Sequence, residues 1–155
     1  EQAGERMKLG LMLNDPEEEQ DCFSDNTQNS HYYDGLGIRN VYLGSYARPD
    51  GKVVSGPSLS ELVAAGDPAV NKQLTADLED SVAKLGALKQ AADGGFAYDQ
   101  MLAPGDKRGE KLIMDAVDAL VTQTASIQRA VAVVDGSKVE FEGSDSLDNP
   151  DAVFQ

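Results

Sequence analysis

Apolar residues recur at intervals of three and four along two long stretches of the chain, a spacing typical of amphipathic helices. The first stretch covers residues 68–92 and follows Asp67, which can cap a helix that has Pro68 at its first position. The second covers residues 107–134 and stops before Asp135 and Gly136. We predict two long helices with buried stripes at Val70, Leu74, Leu78, Val82, Leu85, Leu88 and Ala92 in the first and at Ile113, Val117, Leu120, Thr124, Ile127, Val131 and Val134 in the second.

Shorter helices are predicted in the first half of the chain. Residues 1–13 place Ala3, Met7 and Leu11 on one face, and proline at position 16 disfavours helical geometry in the residue before it. A serine at 58 and a glutamate at 61 have the spacing of a capping box, which predicts a short helix to residue 65. Residues 35–46 predict a helix whose apolar face is Leu36, Val41, Tyr42 and Leu43.

The remaining segments are less regular. Residues 52–57 predict an extended link, and residues 96–102 predict either one helical turn or an ordered loop. Residues 137–155 alternate weakly at Val139 and Phe141 and then become acidic. Because helices are joined by short loops and no strands alternate with them, we predict an all-α, up-and-down bundle of about four helices. The bundle is expected over residues 1–136 and an acidic tail over residues 137–155.

Charge narrows the choice of partners. The 155-residue chain carries a formal net charge of −14, and 41% of its residues are hydrophobic, which is a globular composition. No basic stripe is present to displace counterions from phosphates, so neither nucleic acid nor an anionic membrane surface is an expected partner. The longest apolar runs, residues 9–13 and 130–134, are too short for a membrane-spanning segment. An acidic surface suits either cation capture or simple solubility.

A polar loop over residues 15–34 is the place where a functional site is expected. Connections between bundled helices usually need only about 2 to 8 residues, and this one is longer. It holds Asp, Ser, Asn, Thr, Gln and Tyr, together with the only Cys and the only His of the sequence. These side chains offer many oxygen ligands and hydrogen-bonding groups.

The first part of this loop is also a specific motif. Residues 15–27 read Asp-Pro-Glu-Glu-Glu-Gln-Asp-Cys-Phe-Ser-Asp-Asn-Thr, between Glu-Arg-Met at 5–7 and Gly-Ile-Arg-Asn-Val-Tyr at 37–42. Gly-Pro-Ser-Leu at 56–59, Tyr-Asp at 98–99 and Gln-Thr at 123–124 fit the same pattern. Over most of its length the chain resembles the C-terminal half of the imelysin-like proteins, a family also called insulin-cleaving metalloprotease-like.

The resemblance implies an all-helical protein of two related bundles, of which this chain forms the second. It implies export to the periplasm or the cell surface and an association with iron acquisition. It also implies that the metal site is a Gly-x-His-x-x-Glu motif in the first bundle, and this sequence contains no such motif. The expected partner is an N-terminal imelysin-like bundle, from the same precursor or as a separate chain. Iron or zinc bound jointly by the two bundles is the candidate cofactor, and its identity stays open.

The loop and its surroundings supply a candidate ligand or interface site, made of Arg6, Gln20, Asp21, Ser24, Asp25, Asn26 and Gln28. Asp21 and Asp25 are the candidate metal ligands, because carboxylates bind hard cations. Many family members carry His where this chain has Gln20 and Gln28. A Gln carbonyl oxygen can coordinate a hard cation but is a poor ligand for zinc.

These residues also have a purely structural interpretation. The four polar residues of the motif can cap the next helix and tie the loop down through hydrogen bonds from side chains to the backbone; they are Asp21, Ser24, Asp25 and Asn26. Arg6 can form a bidentate pair with an aspartate of the loop or remain a surface charge. Cys22 is expected to be a small buried hydrophobe, and His31 is expected to be structural and not a ligand. Residues 17–19 are expected to be a solvated acidic run.

Three functions remain open from the sequence. The leading hypothesis is half of an exported imelysin-like protein associated with iron or metal uptake, whose polar loop contributes to a ligand or metal site between two bundles. The first alternative is the C-terminal half of a metallopeptidase with its metal ligands on the N-terminal bundle, so the sequence does not decide whether the chain is an enzyme. The second alternative is a structural interaction bundle without a working site.

Overall fold

The structure, a computed structural model, describes residues 2–136, and its regular elements within that range are helical apart from one two-stranded sheet. A π-helical segment, Gln2–Lys8, continues into α1 (Leu9–Leu13), and a 3-10 turn covers Pro16–Glu18. The elements that follow are α2 (Thr27–Leu43), β1 (Ser45–Ala47), β2 (Val53–Ser55), α3 (Leu59–Gly66), α4 (Pro68–Asp93), α5 (Tyr98–Met101) and α6 (Lys107–Asp135). The predicted all-α class is confirmed. The predicted acidic tail, with its alternation at Val139 and Phe141, lies outside the described residues.

The two longest helices, α4 and α6, form the centre of the bundle and run antiparallel. The start of α4 meets the end of α6 in an apolar cluster of Tyr42, Val63, Leu74, Leu78 and Ala130. The end of α4 meets the start of α6 in a larger cluster of Met7, Leu85, Leu88, Tyr98, Met101, Leu102, Ile113, Ala116, Val117 and Leu120. Helix α2 packs along α4, and the π-helical segment packs against α6. The polar loop between α1 and α2 lies at the end of the bundle that holds the larger cluster, where His31 contacts Tyr98.

The helices begin where local capping chemistry predicts. The Ser58 hydroxyl accepts a hydrogen bond from the N–H of Glu61 at 3.0 Å, and the Glu61 carboxylate accepts one from the N–H of Ser58 at 3.0 Å. This reciprocal capping box begins α3. The Asp67 carboxylate accepts hydrogen bonds from the N–H groups of Ala69 and Val70 at 2.9 and 3.1 Å, and so begins α4. Helices α3 and α4 therefore start at the predicted residues.

Helix α2 differs from its prediction at both ends. The apolar spacing predicts a helix over 35–46, whereas α2 covers Thr27–Leu43 and takes in residues 27–34 of the predicted polar loop. Its first buried positions are Thr27, His31 and Gly35, which lie four residues apart. This face is polar or small, so hydrophobic periodicity does not reveal it. The helix ends because Gly44 adopts a left-handed φ of +60°.

Glycine at position 35 suits the close contact between α2 and α4. A Cβ atom built there would lie 2.4 Å from Cδ1 of Leu85, which is fully buried, so the Leu85 side chain would have to shift. The absence of a side chain at position 35 lets the two helices pack closely. On the same interface Asn71 accepts hydrogen bonds from the hydroxyls of Tyr42 and Ser60, each at 2.8 Å, which joins α2, α3 and α4.

The small sheet was not predicted. Residues 52–57 are extended as expected, but β2 pairs antiparallel with β1, and the start of β1 falls in the predicted second helix. Tyr46 lies opposite Val54 in the pair, and both side chains are exposed. Because neither strand has one buried and one solvated face, the alternation that identifies a strand is absent.

Some positions predicted to be buried are exposed. On α6, Thr124 and Val134 are exposed and Gln123 is buried. A repeat of seven residues drifts by about 20° per heptad around a helix with 3.6 residues per turn, so the predicted stripe leaves the core along its length. On α2, Tyr42 is buried and Val41 is turned outward, because neighbouring residues lie on different faces of a helix.

Candidate functional site

The polar loop begins with two tight local structures. Asn14 adopts a left-handed φ of +51° and ends α1. The Asp15 carboxylate then accepts a hydrogen bond from the N–H of Glu17 at 3.0 Å, and Pro16 occupies the first position of the 3-10 turn. Asp-Pro is thus a capping pair that fixes how the chain enters the loop.

Asp21 is the main anchor of the loop. Its carboxylate accepts a hydrogen bond from the Ser30 hydroxyl, one turn into α2. Its backbone N–H donates to Oγ1 of Thr27 at 3.0 Å. Its backbone carbonyl accepts from the N–H and the hydroxyl of Ser24 at 3.1 and 3.3 Å. Asp21 therefore ties the loop to the start of α2, as the structural interpretation predicts.

The tip of the loop presents its side chains to solvent. Residues 22–26 are all exposed, and Asp25 adopts a left-handed φ of +49°. Asn26 precedes α2 but makes no capping hydrogen bond through its side chain. Its Oδ1 atom instead accepts a hydrogen bond from the Asn29 side chain at 2.8 Å. Gln28 donates from Nε2 to the backbone carbonyl of Asp25 at 3.4 Å, so its amide reaches back across the tip.

Most of the candidate site residues lie in this loop and the first turn of α2. They are Gln20, Asp21, Ser24, Asp25, Asn26 and Gln28. Arg6 lies on the π-helical segment, and its charge lowers the pKa of His31, which places it at the same end of the bundle. The sequence therefore identifies one region of the molecule.

Two expectations about the loop are wrong. Cys22 is exposed and not buried, because it lies at the solvent-facing tip. The pKa of its thiol is raised, by desolvation and then by the carboxylates of Glu19 and Glu17, so the thiolate needed by a nucleophile is disfavoured. Glu19, expected in a solvated run, is only 7% exposed. The backbone is extended after the 3-10 turn, and its side chain turns inward.

Four side chains, Glu19, Gln28, His31 and Tyr98, form what we call the buried polar cluster. Within residues 2–136, the buried side-chain atoms without a hydrogen-bond partner all belong to it: Glu19 Oε2, Gln28 Oε1, both ring nitrogens of His31 and the Tyr98 hydroxyl. The rings of His31 and Tyr98 lie in contact, with centroids 5.6 Å apart. A buried polar group without a partner costs about 1 to 3 kcal/mol. Such atoms are thus concentrated where the family motif lies.

Burial sets the protonation of the buried polar cluster. It lowers the pKa of His31 to about 4, while the Asp21 carboxylate raises that pKa and Arg6 lowers it. The neutral ring has one N–H donor and one acceptor nitrogen. Burial raises the pKa of the Glu19 carboxyl, and neighbouring carboxylates add to the rise. Burial also raises the pKa of Tyr98, with a further contribution from Glu19, so its hydroxyl remains a donor at neutral pH.

The described residues do not make up a metal centre by themselves. Among residues 2–136, no group of three or more His, Cys, Asp or Glu side chains is arranged to hold a metal ion. The Asp21 carboxylate is also engaged by Ser30. A metal bound through Asp21 and Asp25 would need further ligands from outside this part of the chain, so these two metal ligands stay a prediction.

The sequence did not identify three residues of this region. Thr27 is fully buried and its hydroxyl oxygen accepts the hydrogen bond from the Asp21 N–H. Glu19 is buried, although the acidic run at 17–19 predicts a solvated side chain. Tyr98 reaches the loop through the fold, because α5 brings a distant part of the chain to this end of the bundle. Its only sequence signal was the Tyr-Asp pair at 98–99, which fits the family pattern.

A model of a protein family matches most of the chain. The family model Peptidase_M75, described as Imelysin, matches residues 1–127. This range includes the polar loop, the buried polar cluster and all the helices except the end of α6. No curated protein matches the chain. Among the helices of residues 2–136, none has the length and apolar character that crossing a bilayer requires.

Proposed function

This chain belongs to the imelysin family, and on that premise we propose that it is half of an exported protein associated with the uptake of iron or another metal. Its polar loop contributes to a ligand or metal site at the interface with a second helical bundle. The proposed location is the periplasm or the cell surface. The proposed site residues are Arg6, Gln20, Asp21, Ser24, Asp25, Asn26 and Gln28, with Asp21 and Asp25 as metal ligands.

The observation that carries this proposal is the position of the unpartnered polar atoms. They lie beneath the loop that contains the family motif, in the side chains of Glu19, Gln28, His31 and Tyr98. A core selected for stability alone leaves few such atoms, since each costs about 1 to 3 kcal/mol. These atoms are inaccessible to solvent in the structure, so a ligand or a second bundle would supply their hydrogen-bond partners only through a rearrangement that exposes them, and would then recover part of that free energy on binding.

The negative charge of the chain supports a cation, in preference to an anion, as the bound ligand. The chain has a net charge of −14, and Asp15, Glu17, Glu18 and Asp25 are exposed in or beside the loop. A concentration of carboxylates raises the local concentration of cations. The remaining ligands for a bound metal would come from the second bundle, because Asp21 and Asp25 alone do not complete a coordination sphere.

The test is calorimetric titration of a protein that joins this chain to an N-terminal imelysin-like bundle, with ferric, ferrous and zinc ions. We expect binding of at least one ion, and a loss of affinity of about tenfold or more in the Asp21→Ala/Asp25→Ala variant. The matched control is Asp80→Ala/Asp118→Ala, which removes two exposed carboxylates from α4 and α6. Absence of heat with all three ions excludes the metal site. Equal losses of affinity in the two double variants would show that binding depends on the net charge of the protein and not on a site at Asp21 and Asp25.

The name of the matching model supports a second candidate, the C-terminal half of a metallopeptidase. In that case the metal ligands lie on the N-terminal bundle, and Asp21, Ser24 or Asp25 orient the substrate or the ligands. Incubation of the two-bundle protein with unfolded protein substrates and saturating zinc tests it, and intact substrates exclude it. If the Asp21→Ala/Asp25→Ala variant binds every ligand normally, a structural interaction bundle is the better description.

A further inference from the structure

An apolar groove lies between α2 and α6, at the end of the bundle that holds the smaller apolar cluster. Both helices pack along α4 but not along each other, and none of residues 2–136 fills the space between them. The buried side chains of Val63, Leu74 and Leu78, from α3 and α4, form the floor. The volume is about 650 Å³, within the range of about 300 to 1,000 Å³ that is common for binding sites. The buried polar cluster does not line the groove, which is therefore separate from the candidate site.

Each wall of the groove is a helix face with the spacing of a helix-packing surface. The lining residues recur at intervals of three and four on both helices, as they do where one helix packs against another. They are Gly37, Ile38 and Val41 on α2 and Ala130, Val131 and Val134 on α6. The lined stretches, residues 34–41 and 127–134, each rise by about 10 Å, or two turns, at 1.5 Å per residue. The two walls are therefore helix faces with no helix packed between them among residues 2–136.

The edges of the groove are exposed apolar side chains. Val41 is 70% exposed, Leu59 of α3 is 51% exposed and Val134 is 49% exposed. Gly37 adds room to the α2 wall, because a Cβ atom built there meets no atom within 4 Å. Single exposed apolar residues are ordinary, but several that converge on one concave surface are typical of a surface that another molecule covers.

The lining of the groove favours a helix over an extended peptide as its occupant. The walls are α-helices, whose backbone groups bond within the helix, and the lining side chains are almost all apolar. An extended peptide would bury backbone N–H and C=O groups there without partners, at a cost in free energy. A helix pairs its own backbone groups and needs only an apolar face to fill the groove.

The charge around the groove indicates which kind of helix fits. Asp34 is among the first residues of α2 to line the groove, and Asp135 is the last of α6. Both helices run antiparallel to α4, so the two carboxylates lie at opposite ends of the groove. None of the described residues that line the groove is basic, and the chain carries a net charge of −14. Basic residues at the flanks of an incoming helix would complement this surface.

A second copy of the chain is a poorer occupant. A symmetric pair of chains would place the same surface of each against the other. Two grooves placed face to face would leave each other empty. Two chains that each carry a net charge of −14 also repel each other.

We propose that this groove binds an amphipathic helix of a partner protein, with an apolar face two turns long and Lys or Arg residues at its flanks. The bound helix lies over α4 between α2 and α6, and completes a four-helix arrangement at this end of the bundle. The proposal does not depend on the metal site, because the groove does not include the polar loop.

The test uses three labelled model peptides of about 18 residues, long enough to form a helix on binding. The first has leucine at positions i, i+3, i+4 and i+7 of each two turns and lysine elsewhere. The second has the same composition in scrambled order, and the third has glutamate in place of lysine. In fluorescence anisotropy titrations with the full chain, the first peptide should bind at least about tenfold more tightly than either of the others. Equal binding of the first and the scrambled peptide would reflect charge attraction alone and would overturn the proposal.

Variants of the chain test whether the first peptide binds in the groove. Gly37→Leu places a side chain in the open space of the groove and should weaken binding by about tenfold or more, while leucine's better helix propensity preserves α2. Val41→Ser should weaken binding by about fivefold. The matched variant Val121→Ser, at an exposed valine of α6 outside the groove, should leave binding unchanged.

Circular dichroism confirms that each variant keeps its helices, and the two groove variants make the test independent of either one. If all three variants bind the first peptide alike, the proposal is wrong. Analytical ultracentrifugation of the full chain alone examines the other occupant. A dimer that Gly37→Leu dissociates would overturn the proposal, because the groove is then filled by a second copy.

Discussion

The ring of His31 lies against the ring of Tyr98 with centroids 5.6 Å apart, and among the described residues neither side chain finds a hydrogen-bond partner for its polar atoms. The contact joins the start of α2 to α5. Both side chains are almost completely buried, so their polar atoms lie away from bulk solvent. An unpartnered buried polar atom costs about 1 to 3 kcal/mol, and variants that remove it test that cost.

Tyr98→Phe should stabilise the isolated chain or leave it unchanged, within about 1 kcal/mol, because it removes a buried hydroxyl that has no partner. Tyr42→Phe is the matched variant. Its hydroxyl donates to Oδ1 of Asn71 at 2.8 Å, so we expect a loss of about 1 kcal/mol or more. Urea unfolding monitored by circular dichroism gives both values. A larger loss for Tyr98→Phe than for Tyr42→Phe would contradict the assignment of the two hydroxyls.

His31 should titrate near pH 4 in the folded chain, because burial lowers its pKa from an ordinary value of 6.5 to about 4. The chain has one histidine, so its ring proton signals in an NMR titration need no assignment by mutation. A midpoint close to 6.5 would mean that the ring is solvated.

The same shift predicts how stability depends on pH. Between pH 6.5 and about 4 the unfolded chain binds a proton at His31 that the folded chain does not, so the free energy of unfolding falls as the pH falls. The loss approaches about 3 kcal/mol at 1.4 kcal/mol per pKa unit. Glu19 acts in the opposite direction, because its raised pKa lets the folded state bind a proton first. The variant His31→Asn should show a much flatter dependence over this range, and an unchanged slope would exclude His31 as the cause.

Gly35→Ala should destabilise the chain by about 1 to 3 kcal/mol, since the new methyl group would overpack the contact with Leu85. Gly86→Ala is the control on the facing helix. A Cβ atom there meets the nearest carbon of Tyr32 at 3.5 Å, an ordinary contact. The better helix propensity of alanine should then stabilise α4 by about 0.5 to 1 kcal/mol. Thermal unfolding of both variants tests whether Gly35→Ala lowers the stability of the chain while Gly86→Ala raises it.

Asp21→Ala and Ser30→Ala should each destabilise the loop by about 1 kcal/mol or more, because each removes one partner of the same charged hydrogen bond. The double variant should lose less than the sum of the two single losses. Hydrogen exchange of the amides of residues 21–30 should accelerate in all three proteins. Additive losses would show that the two side chains do not interact.

Local chemistry explains how much of the fold the sequence predicts. The capping groups of Ser58 and Asp67 act on N–H groups within three residues, so the starts of α3 and α4 can be predicted. The start of α2 cannot be predicted in this way, because its inward positions are Thr27, His31 and Gly35, and tertiary packing holds them in place. The sheet was missed because its pairing joins two exposed segments across a turn.

The candidate site is predictable as a region but not as a set of contacts. The oxygen-rich motif identifies the loop, and the role of Asp21 as its anchor was one of the two interpretations. The inward turn of Glu19 depends on backbone geometry after the 3-10 turn. The arrival of Tyr98 depends on the path of the chain through α4 and α5. The spacing of residues within the motif predicts neither the burial of Glu19 nor its proximity to Tyr98.

The antiparallel pair of α4 and α6 has a consequence for how the molecule assembles. These two long helices follow each other along the chain with only residues 94–106 between them, so the contacts nearest that connection join residues that are close in sequence. Proteins dominated by such local contacts have low contact order and fold rapidly. We expect refolding rates that Asp21→Ala leaves nearly unchanged in stopped-flow measurements. The motif between α1 and α2 can therefore change during evolution without slowing the folding of the helical pair that supports it.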